Sequence, residues 1–314
     1  MPFRAVLRST AVLLAIVLPS CAGPGSGDVP AVAARVDSLA DALFDTQLAL
    51  NPEIGTGRGL PSAEHGRITD NSLAGLRAAE ARMDSLHAQA VAIDPAGLTG
   101  RPQGVTYGVL REALEAERAM RVCREELWGV ASYVNGWQAR YTDLALIQPI
   151  GTDTLRALAL ARVRALPRYL ENEIDNLKEG LRLGYSSPAV IVRNVIGQLD
   201  DILSGPATRS PFYSPAARDS SPAFRAEYAR VIDQELNPAI RRYRDFLIEI
   251  YLPKAREQLG VSENPNGEAC YRATIRSFAT VEVPPDSVFA MGVDQMARAY
   301  SARNAGEESR AAGE

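Results

Sequence analysis

Residues 152–184, TDTLRALALARVRALPRYLENEIDNLKEGLRLG, decide the fold class. Leu155, Leu158, Leu166, Tyr169, Leu170, Ile174, Leu177 and Leu181 recur at helical spacing and form one apolar stripe. Thr152 and Asp153 supply an N-terminal cap, and Gly180 and Gly184 a stop. Pro167 inside the stripe predicts a kinked helix rather than a straight rod. Glu171 and Asp175 share the opposite face with Arg168 one turn before Glu171, a pattern that reads as a solvated, ion-paired exterior.

The same periodicity extends in both directions. Toward the N-terminus it carries Val32, Val36, Leu39, Leu43 and Phe44, with Asn51-Pro52 as a break and residues 55–66 as a Gly- and Pro-rich loop. Asn71-Ser72 opens a second helix through Leu73, Leu76, Met83 and Leu86, and residues 105–122 read as a third. Toward the C-terminus, Ser187-Pro188 starts a helix that runs to Leu203, and residues 204–221 read as loop. Ser221-Pro222 starts another helix, which Pro238 interrupts, and two more cover residues 267–278 and 286–300. No run alternates as a half-buried strand would, so the predicted fold class is all-α.

Outside residues 31–300 the composition changes. Arg4 and Arg8 precede an apolar run, Ala11 to Leu18, too short to span a bilayer, and Leu18-Pro19-Ser20-Cys21 follows. This pattern reads as a lipoprotein signal peptide over residues 1–20 with Cys21 as the lipid attachment site, residues 21–30 forming a flexible tether of small residues. Asp28 does not sit directly after Cys21, so the expected location is the cell envelope, on the periplasmic side of an outer membrane. From Ser301 to Glu314, Ala, Arg, Asn, Gly and Glu without a large apolar anchor read as a disordered tail. The net charge is −4, the cations are almost all Arg (Lys178 and Lys254 are the two lysines), and neither sign is clustered. That distribution excludes the basic stripe a nucleic-acid partner needs.

Chemistry-bearing constellations are sparse. With 46% apolar residues the chain buries a sizeable core, yet it contains two histidines, His65 and His87, and neither stands in an H-E-x-x-H pattern. Both read as exposed polar residues. Gly55-Thr56-Gly57-Arg58-Gly59 lacks the third glycine and the preceding strand of a dinucleotide loop and reads as surface loop. Asp200-Asp201 are helix neighbours that point about 100° apart. Trp128, Tyr133, Trp137 and Tyr141 either line a groove or fill the core. Cys123 and Cys270 could pair in an oxidising compartment or remain two separate buried thiols, and no His or third Cys accompanies them at metal-ligand spacing.

One part of the chain carries a specific likeness. It comprises Glu249-Ile-Tyr-Leu-Pro-Lys-Ala-Arg-Glu-Gln-Leu-Gly260, Asn264-Pro265-Asn266-Gly267, Tyr271, Pro284-Pro285-Asp286 and Met291-Gly292. Weaker pieces are residues 66–72, Gln148-Pro149-Ile150, residues 166–170, Glu179-Gly180 with Gly184, and Gln198-Leu199. Together they resemble a bacterial family catalogued as domain of unknown function 885. Long members of that family look like zinc metallopeptidases, with an H-E-x-x-H helix farther along. The resemblance implies a multi-helix array corresponding to the N-terminal half of such a fold. It implies zinc for full-length relatives and no cofactor for this chain, because the positions matching the zinc-binding pattern are absent; no role passes to Asn266 or Tyr271. The expected partners are a membrane, through the lipid, and a peptide substrate or a missing C-terminal half. The reading is an exported lipoprotein, inactive by itself; the alternative is a complete, non-enzymatic helical binding or scaffold lipoprotein.

Overall fold

The computed structural model describes residues 29–133 and 136–311, with side chains up to Asn304. Cys21 and the signal and tether segments before Val29 lie outside the described residues. Helices follow in the order α1 (Val29–Leu50), α2 (Pro52–Gly57), α3 (Leu73–Val91), α4 (Pro102–Met120), α5 (Trp137–Ile147) and α6 (Asp153–Arg182). Then come α7 (Ala189–Leu203), α8 (Ser214–Arg218), α9 (Pro222–Val231), α10 (Asn237–Phe246), α11 (Gly267–Ala279) and α12 (Pro285–Ala311). Among the described residues there is no strand, only an isolated parallel bridge between Pro188 and Arg256, so the chain is all-α. No helix among them is long and apolar enough to cross a membrane.

Several helix starts follow from local chemistry. The hydroxyl of Ser72 accepts the Gly75 N–H at 3.0 Å, that of Thr152 the Leu155 N–H at 3.2 Å, and that of Ser221 the Phe224 N–H at 3.3 Å. Each satisfies one of the orphan donors at a helix start. Helix α6, 30 residues or about 45 Å long, continues through Pro167 and ends beside Gly184, whose φ of +86° suits glycine. Its exterior pairs form as spaced: Arg168 with Glu171 at 3.5 Å and Lys178 with Asp175 at 3.7 Å.

Pro238 does not break the chain as its position predicts. The helix widens into a π turn over Ile232–Leu236, continues as α10, and widens again over Leu247–Tyr251. A wider turn accommodates the ring and its missing N–H without ending the helix. The interval 204–221 holds two 3-10 turns and α8 rather than bare loop. Helix α12 also runs past Tyr300 to Ala311, through the stretch whose composition predicts a disordered tail; its Ala, Arg and Glu residues are strong helix formers.

Among the described residues, the buried apolar side chains form two separate clusters. The larger joins α5, α6, α7, α9 and α10, with Tyr243, Tyr251, Phe212, Leu170, Leu177, Leu199, Ile232, Leu236 and Ile240 fully buried. The smaller packs α1, α3 and α4 through Val36, Leu39, Leu43, Met83, Leu86, Leu110 and Leu114. Between the two lies a polar joint.

Candidate functional site

The joint is built where α2 and residues 58–72 cross α6. Arg162, 5% exposed, projects from α6 into the ends of that connection. Its Nε donates to the Arg67 carbonyl at 3.0 Å, its Nη2 to the Glu64 carbonyl at 3.1 Å and to Thr56 Oγ1 at 2.9 Å, and its Nη1 to Gln148 Oε1. Burial pushes the guanidinium pKa down, while the charge of Glu53 opposes the shift. Glu53 is buried as well. Its carboxylate accepts the Thr69 N–H and Oγ1–H, each at 2.8 Å, and the Tyr141 hydroxyl at 2.7 Å. His65 meets Thr56 Oγ1 at 3.0 Å through Nδ1. Thr56 Oγ1 accepts from Arg162 and retains a proton and a second lone pair for the contact with His65. Burial first and Arg162 second lower the His65 pKa, so the ring is neutral at pH 7.

A second part of the joint is made of amides. Asn71 donates to the Tyr169 carbonyl at 3.0 Å and to Glu173 Oε1 at 2.8 Å. Its own Oδ1 accepts from Asn172 at 3.0 Å, and its carbonyl from Asn176 at 2.8 Å. Glu173 as a residue is partly covered rather than fully buried, yet its carboxyl group lies among protein atoms, and desolvation raises its pKa against the hydrogen bonds from Asn71 and Tyr169. A raised pKa means that ionised Glu173 opposes folding. Below the carboxyl pKa of the unfolded chain both states are protonated and nothing is lost; stability falls as pH rises from there through the folded-state pKa. Glu173→Gln keeps the acceptor for Asn71 and removes the charge. The variant should match the parent near pH 4 and melt at a higher temperature at pH 7, as a pH series of thermal melts would measure.

This joint corrects two expectations. Gly55 and Thr56 belong to the end of α2 and are buried, so only Gly57, Arg58 and Gly59 of that stretch lie on the surface. His65 is half-buried and hydrogen-bonded rather than free. His87 lies on α3, its Nδ1 2.7 Å from Arg118 Nη1. The aromatic set divides: Trp137 and Tyr141 are core, Tyr133 is 80% exposed, and the half-buried Trp128 lies under the Arg256 guanidinium. Neither histidine offers a lone pair converging with others, and among the described residues no three His, Cys, Asp or Glu side chains are grouped to hold a metal. The donor set does not fit zinc. The joint's polar groups are largely satisfied by one another.

Around Tyr251 a further knot forms. The Tyr251 hydroxyl accepts the Ser187 N–H at 2.8 Å, Asn264 Oδ1 accepts the Ser186 N–H at 3.0 Å, and the Arg256 carbonyl accepts the Ala189 N–H at 2.7 Å. Asn266 is left-handed at φ +57°, and an added Cβ on Gly267 would sit 1.9 Å from the Val261 carbonyl oxygen. These residues therefore set the direction in which α11 leaves. Cys123 and Cys270 form a disulfide with Cα atoms 4.6 Å apart, joining the end of α4 to α11.

Beyond α11 the surface changes character. Every described side chain of α12 from Asp286 to Asn304 is exposed. Phe289, Val293, Met296 and Tyr300, between 52% and 75% exposed, follow each other at intervals of four, three and four residues and so share one line of the helix. Small residues, Ala290, Gly292, Ala297 and Ala299, flank that line, and the Asp294–Arg298 ion pair of 2.7 Å lies opposite. The spacing is that of a heptad seam, although Val288 and Met291, also exposed, lie off this line. Phe278 and Val281, 86% and 57% exposed, extend the apolar surface back to α11. The seam is legible from residue spacing alone; its lack of cover is not.

Comparison with known proteins adds a fold and a family. A crystal structure described as "the putative lipoprotein from Colwellia psychrerythraea" is similar with a TM-score of 0.67 at 17% sequence identity. The match covers 86% of this chain and 49% of the other, so the chain spans about half the length of that protein. No match is found among curated proteins. The family model described as "Bacterial protein of unknown function (DUF885)" matches residues 52–305, which takes in the joint, the Tyr251 knot, α11 and most of α12. On that match over most of its length, the chain belongs to the DUF885 family of bacterial proteins.

Proposed function

We propose that this chain is the N-terminal helical part of a zinc-metallopeptidase-like lipoprotein, held at the cell envelope by a lipid on Cys21, and inactive by itself. The observation that carries the reading is the uncovered seam of α12: Phe289, Val293, Met296 and Tyr300 on a helix with no buried side chain among those described. An apolar line of this kind in water is ordinarily covered by another helix. The half-length match to a protein of the same fold supports a second half as that cover. In this reading the α12 seam docks the half that carries the zinc ligands, the general base and the peptide-binding cleft. The present chain supplies the rigid support, in which the polar joint ties α1, α3 and α4 to the α6 core and the Tyr251 knot aims α11. Metal analysis and peptide incubation of the purified chain test the inactive half directly. No stoichiometric zinc and no cleavage are expected; one tightly held zinc per chain, lost on His65→Ala or His87→Ala, overturns the proposal.

A further inference from the structure

The attachment of α11 is unlike that of the long helices before it. None of its residues belongs to either apolar cluster, and only Gly267, Cys270 and Ile275 are buried. It packs on α4 and on the 3-10 turns at 121–123 and 261–263 with little buried apolar surface, and few specific contacts fix it there. Arg276 donates through Nη1 and Nη2 to the two carboxylate oxygens of Glu112 on α4, at 2.7 and 3.0 Å, and lies 3.6 Å from Glu115. The Cys123–Cys270 bond fixes the helix to the 3-10 turn at the end of α4. Ion pairs with partly exposed partners contribute little, and burying one isoleucine does not replace a core. The covalent bond is therefore the strongest single tie between α11 and the end of α4, and α12 follows α11 after five residues.

We infer that the Cys123–Cys270 disulfide is an oxidation-dependent latch for the arm formed by α11 and α12. Closed, it holds the arm against α4; open, it lets the arm leave while the two apolar clusters stay folded. Closure joins the two sulfurs as both thiols give up their protons and two electrons to a disulfide oxidant, which becomes a dithiol. Opening is the reverse, with a dithiol as the reductant. In a reducing cytoplasm the pair would remain open, and in an oxidising compartment it would close, so the arm, aimed by the Tyr251 knot, is fastened down on α4 only outside the cytoplasm. Both cysteines are buried, Cys123 at 2% and Cys270 at 4% exposed. A thiolate reaches the closed bond only when the arm lifts locally, so once formed the latch is slow to reopen. The consequence for docking rests on α12 being the docking helix, as proposed above; the latch itself does not.

Hydrogen exchange followed by mass spectrometry separates the possibilities. The mature chain is compared oxidised, after incubation with dithiothreitol in native buffer, and as the Cys123→Ala/Cys270→Ala variant. Peptides within residues 267–279 are expected to exchange at least about tenfold faster in the reduced chain and in the variant, with α6, α7 and α10 unchanged, as for a sub-global opening. Unchanged exchange in α11 after complete reduction overturns the latch, and so does loss of protection throughout the chain, which would make the bond a global staple. The reduced parent chain decides the matter if the variant does not fold. Because no partner is added, accelerated α11 exchange in a chain whose α12 proves to dock nothing would leave the latch standing and remove only the docking reading.

Discussion

Arg162→Ala is expected to lower the stability of the chain by about 3–5 kcal/mol, the range for breaking a buried charged network. The truncation removes the donor from Thr56 Oγ1, Gln148 Oε1 and the carbonyls of Glu64 and Arg67 at once, in a place the solvent does not reach. It also uncouples α6 from the connection 58–72, which bridges the two apolar clusters. Arg162→Lys keeps the charge and still loses the planar fork that reaches four acceptors, so it should recover only part of the loss. Arg164→Ala, two residues away on the exposed side and paired with Glu227, should stay within about 1 kcal/mol of the parent. Urea unfolding of the three variants measures the set; an Arg162→Ala chain as stable as Arg164→Ala would remove the joint from the account.

Gly180→Ala is the second large effect. In an ordinary helix this exchange gains stability, because glycine is the poorer helix former by about 0.8–1 kcal/mol. Here an added Cβ would sit 1.8 Å from the carbonyl oxygen of Leu127 and 2.8 Å from its carbon, both backbone atoms of the 3-10 turn Glu125–Leu127. Neither can swing aside, so α6 and the turn must separate, with an expected loss of about 3 kcal/mol. Gly197→Ala on α7 is the control: nothing lies within 4 Å of its added Cβ, and it should gain about 0.5–1 kcal/mol. Opposite signs at the two glycines are the outcome to look for in thermal melts. A neutral or stabilising Gly180→Ala would mean that the crossing is looser than described.

How far the sequence discloses this protein can be judged on α6. Its apolar stripe, its cap at Thr152 and its end at Gly184 are local properties, and they are legible because they depend on period and cap chemistry alone. The all-α class follows from the same signals repeated along the chain. Arg162, Glu173, Asn176 and Gly180 are a different matter. They lie on one line of α6 with Leu166 and Tyr169, in the middle of the buried face. Polar residues on an apolar line are a visible irregularity, and that signal points to buried partners. Which partners is a tertiary fact: Asn71 is about 100 positions from Asn172 and Asn176, and Thr56 106 positions from Arg162. Gly180 reads locally as a helix stop and serves instead as the point of close backbone approach. Pro238 reads as an interruption because period-based reasoning assumes the α pitch, and a π turn absorbs it. The α12 seam is explicit in residue spacing, yet spacing cannot say whether a seam is covered.

Whether α12 is the docking face for a second, zinc-carrying half is decided by nucleotide sequence. The coding sequence immediately downstream of Glu314 is read in all three frames. An H-E-x-x-H helix encoded there, in any frame, is the expected result. Unrelated downstream sequence, together with a purified chain that is a monomer, melts cooperatively and binds no apolar dye, would contradict the claim and favour a complete helical binding lipoprotein.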